Sequence, residues 1–209
     1  DEAAFFAETN PFGFIIFQRN VETPDQLKQI VASLRKAVGR DDLPIFIDKE
    51  GGRVTRLKPP YWPSLPSMRV LGEIYERHPE TGAEAIRLHS QITAQRLVEL
   101  GINGNCAPVL DLMIDGANDV IGDRAFSHDP FVAATCARIV METFIDNGIY
   151  PIIKHMPGHG RVEVDPHLTL PYVDTPYETL AAEDFIPFKE LSDAPLAMNC
   201  HVVFRSLDE

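Results

Sequence analysis

The amino-acid sequence predicts an α/β fold of the (β/α)8 TIM-barrel type, represented here by part of a barrel. Three observations carry that expectation. Five short apolar runs alternate with helix-patterned segments, which implies right-handed parallel β/α units. Four of the five runs are followed at once by polar, chemistry-bearing residues: Asp48 with Glu50, Asp111, Lys154 with His155, and His201. In a barrel those positions open onto one face, the C-terminal rim where enzymes of this architecture keep their sites. The competing doubly wound sheet would more often place a Gly-x-Gly-x-x-Gly phosphate loop after its first strand, and the sequence has none.

The elements follow in chain order. Phe12 to Phe17 is the first apolar run. Thr23-Pro24-Asp25-Gln26 then supplies an N-cap, a proline at the first helical position and a glutamine at the capping-box position. Leu27, Ile30, Val31, Leu34 and Val38 continue at helical spacing, and Gly39 is the stop. Leu43 to Ile47 is the second strand, broken by the polar segment from Asp48 to Arg53. A proline-rich stretch from Pro59 to Pro66 crosses the surface, with the single tryptophan, Trp62, as a loop anchor. Glu80 to Leu100 reads as a long helix ended by Gly101, and Ile102 to Val109 as the third strand. Asp129-Pro130 caps a helix running to about Asn147, and Tyr150 to Lys154 is the fourth strand. Thr175-Pro176-Tyr177-Glu178 repeats the Thr-Pro capping device, and Leu196 to Cys200 is the last apolar run. A complete barrel takes ~250 residues, whereas these 209 end just past the fifth recognisable strand. Residues 1–209 are therefore read as a single catalytic barrel domain, its N-terminal and central part. The last β/α units and part of the extreme N-terminus are expected to be missing.

Composition narrows the partners. Hydrophobic residues make up 44% of the chain, enough for a substantial core, and the formal net charge of −12 opposes attraction to nucleic acid or to an anionic membrane. Cys106, Cys136 and Cys200 are odd in number and set in apolar contexts, so they read as reduced thiols and favour the cytoplasm. No basic-then-apolar leader and no apolar run near ~18 residues is found, so neither a signal peptide nor a membrane span is expected.

The chemistry concentrates between Lys154 and Pro171, where three histidines, a lysine and an aspartate share one short stretch. Histidine titrates nearest neutral pH and suits proton transfer. Asp165 and His167 flank Pro166, so both side chains can face one cavity, and a carboxylate beside an imidazole orients the ring and favours its protonated form. A solvated loop histidine beside an N-cap aspartate is the plainer alternative. His155 and His159 stand four apart as helical metal ligands would, but Pro157 and Gly158 between them argue against a helix, and neither a metal nor a cofactor is expected. Lys154, at a strand end, is suited to hold sugar hydroxyls, a carboxylate or a phosphate. Asp48 to Arg56 combines two acids, a glycine pair and two arginines, the inventory of a polar-ligand loop or of an ion-paired surface turn. Ile121-Gly-Asp-Arg-Ala-Phe126 adds another arginine, Arg124.

Taken together, Asp48-x-Glu50-Gly-Gly-Arg-Val-x-Arg56, Ala107-Pro-Val-Leu-Asp111, Ile121-Gly-Asp-Arg-Ala-Phe126 and Lys154-His-x-Pro-Gly-His-Gly160 followed by Asp165-x-His167 resemble the family 3 glycoside hydrolases, in particular their bacterial β-N-acetylglucosaminidases. The resemblance covers essentially the whole chain. It implies a retaining hydrolase that releases terminal non-reducing β-linked N-acetylglucosamine from peptidoglycan-derived muropeptides during cell-wall recycling in the cytoplasm. N-acetylglucosaminyl-anhydromuramyl peptides are the implied substrates, with a chitooligosaccharide as the other possible aglycone. The implied acid/base residue is His167, partnered by Asp165, and sugar-binding roles fall on Asp48, Arg56, Arg124, Lys154 and His155. In this chemistry a carboxylate attacks the anomeric carbon while the acid/base group protonates the leaving oxygen and then activates water. Pro166 stands where the family more usually has a small serine. The family's nucleophilic aspartate comes from a Ser/Thr-Asp-Asp-Leu segment that matches nothing before Glu209, so the parent protein is expected to continue beyond that residue. The alternative is a catalytically incomplete sugar-binding fragment or a degenerate family member.

Overall fold

The computed structural model describes residues 2–162 and 170–207. Its strands are β1 (Phe14–Ile16), β2 (Ile45–Ile47), β3 (Lys49–Gly51), β4 (Val54–Thr55), β5 (Gly104–Asn105), β6 (Tyr150–Met156), β7 (Tyr172–Val173), β8 (Leu196–Asn199) and β9 (Val203–Phe204). Its helices are α1 (Glu2–Thr9), α2 (Pro24–Val38), α3 (Met68–Arg77), α4 (Pro79–Glu99), α5 (Pro130–Asp146), α6 (Tyr177–Ala182) and α7 (Ile186–Glu190). The main sheet has the order β1-β2-β5-β6-β8, every pairing parallel. Spatial order thus follows chain order without reversal. A doubly wound sheet reverses at a switch point; this one progresses in a single direction and curls as a partial barrel, as the sequence predicts. The pairs β3–β4, antiparallel, and β7–β9, parallel, stand apart from it.

The capping signals act where they are written. The Thr23 side chain accepts from Gln26 N at 3.2 Å, although the Gln26 carboxamide accepts from Glu22 N rather than from the cap residue itself. Asp129 accepts from Phe131 N and Val132 N and opens α5. The Thr175 device does not act: α6 starts at Tyr177 with Pro176 as its cap residue and no side-chain cap bond. The third strand is shorter than expected. Pro108 has no N–H to give the ladder, and Ala107 N turns back to Asn105 O at 2.8 Å; pairing resumes at a single bridge from Val109 to Lys154. Trp62 is buried, as a loop anchor should be.

Helices α1 and α3 are among those that carry no expectation from the sequence. In α1 no residue is fully buried, so no apolar periodicity announces it. Gly72 sits mid-helix in α3 and reads as a breaker, yet it serves close packing: a Cβ there would lie 1.9 Å from the Phe126 carbonyl oxygen. The principal core joins Leu27 and Val31 of α2, Ile45 and Ile47 of β2, Ile86 and Leu97 of α4, Val140 and Phe144 of α5, and Ile153 of β6. A smaller cluster of Val162, Val173, Leu180 and Phe204 lies around β7–β9.

Candidate active site

The strand ends place the polar groups together. Beyond β2 the chain passes Asp48 and turns into the β3–β4 hairpin, which two devices hold against the sheet. The Asn105 carboxamide accepts from Lys49 N at 3.0 Å and donates to Lys49 O at 2.9 Å, standing in for a strand ladder that has run out. Arg56 N donates to Asp48 O at 3.0 Å and closes the hairpin. Gly51 has φ +115°, and a Cβ there would lie 2.4 Å from Pro66 O, so only glycine fits.

Lys154, at the end of β6 and 2% exposed, is the hub. Its Nζ donates to Asp48 Oδ1 at 3.0 Å and lies 2.5 Å from Glu50 Oε1. The second Asp48 oxygen accepts from Arg56 Nη2 at 2.9 Å. Arg124 forks onto Glu50, Nε to Oε2 at 2.9 Å and Nη2 to Oε1 at 2.8 Å, and Nη2 also stands 3.5 Å from His155 Nε2. On the other ring nitrogen, His155 Nδ1 meets Asp111 Oδ2 at 2.6 Å. Asp111 Oδ1 accepts the backbone N–H groups of His155 and His159 at 3.2 and 2.7 Å.

Each charge in this set is balanced. Burial by itself would raise the carboxyls of Asp48 and Glu50, but the Lys154 ammonium, with Arg56 on one and Arg124 on the other, holds both below the usual range. Burial would lower Lys154, and the two carboxylates outweigh it and keep the ammonium charged. Asp111, fully enclosed, is likewise held ionised against burial by His155 and by the His159 N–H. Cys106 beneath them is pushed up to about 12 by burial and then by the Asp48 charge, so it stays a thiol. Beside the network opens a cavity of ≈ 180 Å³ lined by Arg124, His155, His159, Asn199 and His201. A larger one, ≈ 480 Å³, lies around Asn103, Tyr150 and Pro195 where strands begin, away from these converging groups. The rim cavity is the candidate site, because Arg124 and His155 of the network open onto it. Such a set is suited to a neutral polyol: carboxylates accept from hydroxyls while Lys154 and Arg124 donate.

Five residues expected from the sequence, Asp48, Arg56, Arg124, Lys154 and His155, therefore fall in one hydrogen-bonded network. Asp165 and His167 lie outside the described residues. Two members, Glu50 and Asp111, carry no assigned role in the sequence reading. Their signal is position: each follows a strand end, Glu50 two residues after Asp48 and Asp111 at the close of Ala107-Pro-Val-Leu.

Known proteins resemble this chain in sequence and in fold. Residues 2–209 match the glycosyl hydrolase family 3 N-terminal domain. The chain is 36% identical over 198 residues to a beta-hexosaminidase of Nitrosomonas eutropha, covering 94% of this chain and 56% of that protein. It is 37% identical over 197 residues to a beta-hexosaminidase of Xylella fastidiosa, covering 93% and 58%. It superposes with a TM-score of 0.86 on NagZ from Neisseria gonorrhoeae in complex with N-trifluoroacetyl-D-glucosamine, at 35% identity over 94% of this chain and 58% of that one. With a family 3 β-N-acetylglucosaminidase from a Paenibacillus species the TM-score is 0.88 at 32% identity, covering all of this chain and 39% of the other. The chain spans little more than half the length of the curated relatives it matches. By sequence and by fold, the chain belongs to glycoside hydrolase family 3, whose N-terminal domain it matches along residues 2–209.

Proposed function

We propose that this chain provides the sugar-holding side of a retaining β-N-acetylglucosaminidase that acts on terminal, non-reducing β-linked N-acetylglucosamine. The observation that carries the reading is the buried Lys154 ammonium, bonded to Asp48 and Glu50 at the rim of a partial barrel, in a chain similar to an enzyme solved with an N-acylglucosamine bound. Asp48, Arg56, Arg124, Lys154 and His155 orient the sugar. His167, with Asp165 on its ring, protonates the leaving oxygen and then activates water, and an aspartate from chain following Glu209 attacks the anomeric carbon. Muropeptides from peptidoglycan are the proposed natural substrates and the cytoplasm the proposed location. The free cysteines are in keeping with that compartment, as is the lack, among the described residues, of a helix long and apolar enough to cross a membrane.

The test is hydrolysis of p-nitrophenyl N-acetyl-β-D-glucosaminide by the full-length protein. Lys154→Met is expected to lower kcat/KM by roughly 30- to 150-fold, since a charge-assisted sugar contact is worth about 2–3 kcal/mol. His167→Ala is expected to lower kcat by about 10²–10⁴. Turnover unchanged in both variants would remove the proposal.

A further inference from the structure

The site above uses one face of the β3–β4 hairpin. Successive side chains of a strand point to opposite faces. Glu50 reaches Lys154 and Arg124, so Lys49 is directed the other way, toward α4. It is 1% exposed, and its Nζ has no hydrogen-bond partner among the described residues. From α4 come His89, Thr93 and Arg96, at i, i+4 and i+7 on one helical face. His89 Nε2, Thr93 Oγ1 and Arg96 Nε are each buried, and each lacks a partner among the described residues. The hairpin touches this face directly, because a Cβ on Gly51 would lie 2.8 Å from His89 Nε2.

The charges here are not balanced. Burial and then the Arg96 guanidinium push the Lys49 ammonium down to about 8, and burial and then Lys49 hold the His89 imidazole at about 4. At neutral pH Lys49 is therefore a cation beside the Arg96 guanidinium, His89 is neutral, and no carboxylate among the described residues acts on Lys49. An unpaired charge out of reach of water is strongly unfavourable, and each unpaired polar atom beside it adds to the cost. The unpartnered buried groups of Lys49, Thr93 and Arg96 can all donate a hydrogen bond, as ammonium, hydroxyl and Nε–H, while the one N–H of the neutral His89 ring is directed to the Pro66 backbone.

We propose that Lys49, Arg96 and Thr93 form a binding site for a small inorganic anion of the halide class, seated between the β3–β4 hairpin and α4. A halide accepts from several donors without directional demands, and its single negative charge offsets the excess of cations. It is compact enough for a place where Lys49 and Thr93 are 1% and 0% exposed. Its effect is to fasten to α4 the hairpin that carries Asp48 and Glu50. The inference stands apart from the proposed reaction, since no sugar contact enters it.

The experiment is thermal unfolding of the full-length protein while gluconate is replaced by chloride or bromide at constant ionic strength, with bromide located by anomalous scattering in crystals. The wild type should gain stability saturably, with Tm rising by roughly 2–5 °C at about ten times the half-saturating concentration. Lys49→Met should abolish the response, and Thr93→Val, which keeps both cations, should raise the half-saturating concentration several-fold. A bromide peak should lie within hydrogen-bond reach of Lys49 Nζ. A wild-type Tm indifferent to halide, a rise shared in full by Lys49→Met, or crystals without that peak would overturn the proposal in favour of a water-filled pocket. Should Lys49→Met not fold, Thr93→Val and the bromide position decide.

Discussion

Glu50 holds two cations at once, Lys154 by one oxygen and Arg124 by both, while 2% exposed. Neutralising it leaves those cations buried beside a weaker acceptor. Breaking a buried pair in this way costs about 3–5 kcal/mol, so Glu50→Gln should lose on the order of 3 kcal/mol in urea unfolding and most of its activity. Asp111 acts through others: it fixes the His155 ring and two backbone N–H groups and leaves His155 Nε2 facing Arg124. Asp111→Asn preserves the shape but weakens the hold on the ring, and should lower kcat/KM roughly 10-fold or more. Acid should act on the same groups. Asp48, Glu50 and Asp111 all have carboxyls depressed below their unfolded values. Their stabilisation is thus fully present above the unfolded carboxyl range and fades as pH falls through the folded values. Unfolding free energy should begin to fall below about pH 6.5, where the unfolded chain protonates a histidine that buried His89 keeps neutral, and drop further below about pH 4 as the carboxylates protonate. A profile still flat at pH 3 would contradict the paired network.

At the scale of elements, the β3–β4 hairpin presents Glu50 to the site and Lys49 to α4, with Gly51 fixing the turn. Gly39 and Gly51 offer a controlled comparison, since both have positive φ but a Cβ on Gly39 would meet nothing within 4 Å. Gly39→Ala should cost about 1 kcal/mol, the left-handed penalty alone. Gly51→Ala adds a backbone collision and should cost clearly more, with loss of activity; equal effects would mean that the hairpin is not clamped by Pro66. The sequence made much of this order legible because helix starts and stops are local. Thr23, Asp129 and Gly39 act through atoms within a turn of themselves. What it hid depends on distant neighbours. Gly72 looks like a breaker until the Phe126 carbonyl is known to lie against it, and the third strand shortens because Pro108 interrupts a ladder whose partners are some forty residues away in β6. The same holds for the site. Lys154 and His155 announce themselves by position, whereas the role of Glu50 depends on two cations reached only through the curl of the sheet.

The whole molecule is a run of parallel strands that advances in one direction and gathers chemistry at its C-terminal ends. The −12 net charge is spread over the chain, yet at the rim every carboxylate is paired: Asp48 and Glu50 with Lys154, Arg56 and Arg124, and Asp111 with the His155 ring. That local neutrality suits an uncharged sugar and gives no advantage to a free anion or a bare cation. N-acetylglucosamine is the proposed occupant of this network. A crystal structure of the full-length protein soaked with N-acetylglucosamine tests it most directly: sugar hydroxyls should lie about 2.6–3.2 Å from Asp48, Lys154 and Arg124, with His155 Nε2 facing the ring. Sugar bound elsewhere, or an empty rim at saturating concentration, would contradict it.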